Sequence, residues 1–176
     1  HEQERLVLTR LRATRMSPEL SELLRTRTRG HPFFCLELAQ SLCDEGIIEV
    51  EDGLCRITSN IEAARLSLPD TVHGTVTRRI DRLDADSQLT LKVASVSGLR
   101  FPTSLIVDVH PVVRKEPERV RRHLEAHRHL DLLQTDEIEE LEGYAFRHGI
   151  LRDVAYSLLL YSQRRQLHRN VVRWYE

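Results

Sequence analysis

Leu132-Leu133-Gln134-Thr135, then the acidic stretch Asp136 to Gly143, then Tyr144-Ala145-Phe146: this run of the 176-residue chain decides how the rest is read. Its two ends are apolar and aromatic, and its middle holds Asp136, Glu137, Glu139, Glu140 and Glu142, so the pattern predicts two strands around an acidic loop. On the N-terminal side, Pro117 opens a helix to about His127 with Val120 and Leu124 inward. Before it, Thr103 to Val109 reads as a short helix ended by Pro111, and Phe101-Pro102 interrupts the chain. Asp84 caps an earlier helix whose inner face is Leu89, Val93 and Val96 and whose stop is Gly98. Helix, short extended piece, helix, helix, strand, loop, strand is the order of a winged helix, and residues 84–147 are read as that unit.

Further outward the chain reads mainly as helices. Toward the C-terminus, His148 to about Leu160 and Ser162 to the end form two more, the second with Leu167, Val171 and Trp174 on one face; they read as the start of an α-hairpin repeat array. Toward the N-terminus, Pro69-Asp70 starts a long helix with Val72, Val76, Ile80 and Leu83 at helical spacing. Residues 58–67 are polar and read as a linker. Ile47 to Ile57 predict a hairpin around Glu51-Asp52-Gly53. A helix from Pro32 to Gly46 carries Phe33, Leu36, Leu38 and Leu42, and another from Ser17-Pro18-Glu19 to near Gly30 carries Leu20, Leu23 and Leu24. Leu6, Leu8 and Leu11 alternate, which suggests a strand or an extended lead-in. The chain opens on His1 and stops inside an apolar-periodic run, so a fragment of a longer protein is expected.

Composition narrows the function classes. With 26 basic residues against 27 acidic ones, no bulk field exists to hold nucleic acid or an anionic membrane. A hydrophobic share of 40% supports a real core, and no apolar run reaches the roughly 20 residues that span a bilayer. A soluble, intracellular protein is expected. Cys35, Cys43 and Cys55 are odd in number and form no C-x-x-C pair, so they read as small buried hydrophobes or inert thiols. No phosphate-cradling G-x-x-x-x-G-K-[ST], no G-x-G-x-x-G, no H-E-x-x-H and no G-x-S-x-G occurs, which argues against an autonomous enzyme.

Two constellations remain. His123 and His127 stand at i, i+4 with His129 behind them, a spacing that can chelate a divalent ion from one helix face. Without a further ligand at a familiar spacing, solvated histidines on an Arg-rich helix are the better reading. The same helix carries Arg119, Arg121, Arg122 and Arg128, which in a winged helix could meet phosphates or guanine edges. The acidic hairpin would repel a DNA backbone, so a basic solvated face or an intramolecular contact is preferred.

Three stretches together carry a family resemblance. Arg29-Gly30-His31-Pro32-Phe33-Phe34-Cys35-Leu36-Glu37-Leu38 resembles a G-N-P-F-F-x-x-E-L lid signature. Leu68-Pro69-Asp70-Thr71-Val72-His73-Gly74 through Arg79-Ile80-Asp81-Arg82-Leu83 resembles the next block, and Phe146-Arg147-His148-Gly149-Ile150-Leu151-Arg152-Asp153-Val154-Ala155-Tyr156 an F-R-H-x-x-x-R-D-x-x-Y block. Leu160 to His168 continues it. These blocks are similar to the STAND-type, AAA-like ATPase regions of bacterial signalling proteins, above all those that follow class III adenylate/guanylate cyclase domains; LuxR-like regulators carry similar ones.

The resemblance implies a mainly α fold: a helical lid subdomain with a small hairpin (1–67), a linking helix and winged-helix domain (68–147), and the start of TPR-like helical repeats (148–176). It implies a cytoplasmic regulatory module of a parent ATPase, switched by ADP and ATP with Mg bound in that parent. The module's partners would be an upstream P-loop domain, an effector domain and proteins docked on the repeats, with neither DNA nor a membrane among them. Gly30 and Pro32 match the lid corner near the adenine. His31 stands where the family usually has Asn. His148 matches the His of the M-H-D motif that reaches the ADP β-phosphate, although Gly149 replaces its acid. Arg152 is a lesser phosphate candidate and a charge partner for Asp153. The alternatives are a DNA-binding winged helix of a LuxR-like regulator, or a protein-interaction module whose last helix docks through Val171 and Trp174. A plain interhelical turn at Gly30-Pro32 and a plain helix cap at His148 are the simpler readings of those residues.

Overall fold

A computed structural model describes residues 2–58, 68–113 and 116–176. The expected linker at 58–67 lies, apart from Thr58, outside the described residues, as does His1. Among the described residues the fold is mainly helical with two small three-stranded sheets. Two compact units divide the chain between Arg79 and Ile80.

Unit 1 contains α1 (Glu2–Leu11), β1 (Arg15–Met16), α2 (Pro18–Thr28), α3 (Pro32–Asp44), β2 (Ile48–Glu51), β3 (Leu54–Ile57) and most of α4 (Val72–Asp81). The first segment is a helix and not the extended lead-in its alternating leucines suggested. Val7 is the residue that decides it: fully buried and followed at i+4 by Leu11, it defines a helical stripe that packs on α3, and it leaves Leu6 outside. Ser17 caps α2, its hydroxyl accepting from the Leu20 N–H, with Pro18 at the first helical position. Strand β3 pairs antiparallel with β2 across the Asp52-Gly53 turn and parallel with β1, a strand too short for its pattern to be read. Leu20, Leu24, Leu38, Leu42, Ile48 and Cys55 form the core of this unit.

Unit 2 contains the end of α4, α5 (Ala85–Ser97), β4 (Arg100–Pro102), α6 (Thr103–Val109), α7 (Pro117–His129), β5 (Leu133–Ile138), β6 (Leu141–Phe146), α8 (Gly149–Ser157) and α9 (Tyr161–Tyr175). Asp84 caps α5 by accepting from the Ser87 N–H at 3.0 Å. The sheet order is β4-β6-β5, all antiparallel. The expected acidic loop is mostly paired strand, because Asp136 faces Gly143, Glu137 faces Glu142 and Ile138 faces Leu141 across a two-residue turn at Glu139-Glu140. Its charges are tolerated where cations meet them: Arg100 binds Asp136 and Arg121 binds Glu142. A Cβ on Gly143 would stand 2.5 Å from the Phe101 carbonyl oxygen, so only glycine lets β4 approach so closely. Phe101, Leu105, Ile106, Leu124, Leu132 and Leu133 fill the core, Phe101 meeting Phe146 edge to face.

Candidate functional site

In unit 1 the corner between α2 and α3 is built by backbone conformation. Arg29 and Gly30 are both left-handed, with φ of 47° and 81°, and they turn the chain so that Pro32 can start α3. His31 is the N-cap of α3: its Nδ1 accepts from the Phe34 N–H at 3.2 Å. The Gly30 carbonyl accepts from the Gln3 side chain. Beside this corner lies a concave pocket of about 830 Å³ lined by Thr26 to Arg29, His31, Phe34 and Asp70 to Val72. Arg27 and Asp70 form an ion pair on its rim. Thr26, Arg27, Asp70 and Thr71 were missed as lining residues; their only sequence signal was proximity to the G-x-P and L-P-D blocks.

The two blocks meet in the structure of this unit. Glu37 accepts from Arg79 with both side chains buried, and Asp44 stands 3.7 Å from the same guanidinium.

His148 and Arg152 belong to unit 2. His148 is extended, caps α8 and accepts at Nδ1 from the Ile150 N–H at 3.4 Å. A neutral imidazole that accepts at Nδ1 carries its proton on Nε2. Arg152 is anchored: Nε donates to the Ser95 carbonyl at 2.9 Å, Nη1 pairs with Asp153 at 3.1 Å, and the guanidinium lies 5.0 Å from the Tyr156 ring centre. That holds α8 against α5.

Of the α7 histidines, His129 is exposed as the solvated reading has it, whereas His123 and His127 depart from that reading. His127 is fully buried, its Nε2 2.9 Å from Ser87 Oγ, while its Nδ1 has no hydrogen-bond partner among the described residues. His123 Nδ1 and the buried His110 Nε2 both reach Thr90 Oγ1, at 2.8 and 3.1 Å. His110 Nδ1 also accepts from the Val112 and Val113 N–H groups, so protonating it would forfeit both bonds. Desolvation pushes the imidazole of His110 down to about 4 and that of His127 to about 3, and it lowers His123 as well. Their spacing along the helix gave the i, i+4 pair, but it could not show that α5 covers it. Among the described residues, no group of three or more His, Cys, Asp or Glu is placed to hold a metal ion.

Of the four α7 arginines, three meet carboxylates: Arg119 with Asp86, Arg121 with Glu142, and Arg128 with Glu125. The cysteines are free, and burial raises all three thiols, Cys55 to about 11. Val171 and Trp174, the docking face in the protein-interaction alternative, are half-buried, and Trp174 Nε1 donates to Asp108 at 2.9 Å. No helix among the described residues is long and apolar enough to cross a membrane.

A family model described as a domain of unknown function, DUF8739, matches residues 1–56, a stretch that includes the Gly30-Pro32 corner. No curated protein and no solved structure matches the chain.

Proposed function

We propose that this chain is the regulatory part of a STAND-type signalling ATPase of the cytoplasm: a helical lid, a winged helix and the start of TPR-like helical repeats. In the parent protein it responds to ADP and ATP and controls an attached effector, an adenylate or guanylate cyclase. One observation carries the reading. The order α5-β4-α6-α7-β5-β6 ends in an antiparallel sheet and is followed at once by His148 capping a helix. A helix-turn-helix core completed by a hairpin is the winged-helix arrangement.

The nucleotide and its Mg would be held by the upstream P-loop domain, and the bound nucleotide supplies the phosphate charge that differs between the two states. The residues present suit such a ligand. Phe34 and Val72 offer apolar surface in the unit 1 pocket, with Thr26 and Thr71 hydroxyls beside them. His148 stands at a helix N-terminus, where the helix dipole favours an anion. A switch of this kind requires that nucleotide bind the two arrangements with different affinity. Isothermal titration of ADP into the parent protein, P-loop domain included, tests the reading with His148→Ala as the comparison. A weakened ADP affinity supports it, and an unchanged affinity with unchanged effector output removes His148 from the mechanism.

The DNA-binding alternative is disfavoured by the three neutralised arginines of α7. A retarded band that fades steeply with salt would reinstate it.

A further inference from the structure

Unit 2 holds a cleft of about 480 Å³ between the end of α6 and one face of α9, a volume within the range of small-ligand pockets. Asp108, Val109 and Pro111 line one wall, together with His110. Gln166, Asn170, Arg173 and Trp174 line the other, and their spacing of i, i+4, i+7 and i+8 sets them on a single face of the helix. The packing of α9 on α6 holds the two walls together.

The fold leaves the polar groups of this cleft largely unspent. Asp108 Oδ2 accepts from Trp174 Nε1 at 2.9 Å, and the carboxylate makes no other hydrogen bond or ion pair among the described residues. The side chains of Gln166, Asn170 and Arg173 make none among the described residues. Arg100, Arg119, Arg121 and Arg152 of the same unit each meet a carboxylate, so an unpaired guanidinium beside an acid is unusual here. Asp108 and Arg173 line one cleft and do not close on each other. His110 adds only surface, because its Nδ1 accepts from Val112 and Val113 and its Nε2 meets Thr90.

We propose that this cleft binds a small zwitterion of the α-amino acid class. The ligand's ammonium meets the second oxygen of Asp108, and its carboxylate meets Arg173, whose planar fork of N–H donors matches a carboxylate. The Asn170 and Gln166 amides stand beside that end. The ligand's side chain lies against Val109, Pro111 and the Trp174 ring, which its bond to Asp108 holds in place. The charges select this class. A simple anion would face Asp108 and a simple cation Arg173, each a like charge, whereas a zwitterion neutralises both. The volume exceeds what the two charged ends occupy, so a large apolar side chain is preferred to none. Both charges stay near water, which makes the binding weak, with a dissociation constant of about 1 mM. It needs neither nucleotide nor a P-loop domain and is therefore independent of the switch proposed above.

Isothermal titration of the common L-amino acids into the 176-residue chain, each to about 10 mM, tests the site, with emission from Trp174, the only tryptophan, as a local report. At least one apolar amino acid is expected to bind saturably and to shift that emission. N-acetylation removes the ligand's ammonium and amidation its carboxylate, so each blocked form should bind about tenfold or more weakly. Asp108→Asn keeps an oxygen for the indole N–H while removing the charge, and Arg173→Gln removes the cation. Both positions are exposed, and circular dichroism checks that the variants stay folded. Each variant is expected to lose about tenfold or more in affinity. Saturable binding by none of the amino acids overturns the proposal. So do blocked forms that bind as well as the free amino acid, or wild-type affinity in either folded variant.

Discussion

Arg79 donates to Glu37 inside unit 1, with each side chain only 3% exposed, and so joins the residue that closes the F-F-x-x-E pattern to the block around Ile80. Removing one partner of a buried pair leaves the other charge desolvated, which costs far more than the pair itself contributes. Glu37→Ala is therefore expected to destabilise unit 1 by about 3–5 kcal/mol. The only tryptophan, Trp174, lies in unit 2, so unit 1 must be followed by amide hydrogen exchange. Protection at Leu38 and Leu42 that matches the wild type would contradict the expectation.

His31 caps α3 in place of the Asn that the lid signature usually has, and its ring nitrogen does what an Asn side-chain oxygen does at that position. His31→Asn should leave stability within a few tenths of a kcal/mol of wild type, whereas His31→Ala should lose about 1 kcal/mol. Equal losses for both substitutions, measured by urea unfolding, would show that the cap contributes nothing.

Gly143 sits between β4 and β5 where a Cβ would strike the Phe101 carbonyl. Gly143→Ala should cost about 1–3 kcal/mol, because the β4 backbone at Phe101 and the Ile138 side chain must move away. Thermal unfolding read from Trp174 fluorescence reports on this unit; an unshifted midpoint would mean that the sheet yields freely.

Acid should unfold unit 2 early. His110 and His127 are held neutral in the folded unit, at about 4 and about 3, and return to about 6.5 when unfolded. The groups facing them are Asp84 and Asp86, which favour the charged form, and His123 and Arg119, which oppose it; Arg122 further lowers His123. With folded values depressed, the stability they contribute is complete above about pH 6.5 and is lost as pH falls toward 4 and 3. Each such histidine steepens the loss by about 1.4 kcal/mol per pH unit. His127→Gln should flatten the slope between pH 6 and 4 by that amount, and an unchanged slope would remove His127 from the acid response.

Helix starts were legible because they rest on local chemistry: Ser17-Pro18, Pro32, Asp84 and Pro117 each act within one turn. What the sequence concealed depends on partners far along the chain. The hairpin extends through Glu137 and Glu142 because Arg100 and Arg121 neutralise its acids. His127 can be buried because Ser87, 40 residues earlier, shares a hydrogen bond with it. Trp174 is half-buried, its indole held by Asp108, 66 residues earlier. At the candidate site, the Gly30-Pro32 corner and the caps at His31 and His148 follow from φ preference and helix-start chemistry, but the pocket beside the corner needed Asp70 and Thr71 to be brought to it.

Amide hydrogen exchange across residues 148–152 of the parent protein, compared between saturating ADP and saturating ATP, tests the nucleotide-switch reading most directly. That reading predicts slower exchange at Ile150 and Leu151 with ADP, and His148→Ala should abolish the difference. Identical exchange in the two nucleotides, with both shown to be bound, would contradict it.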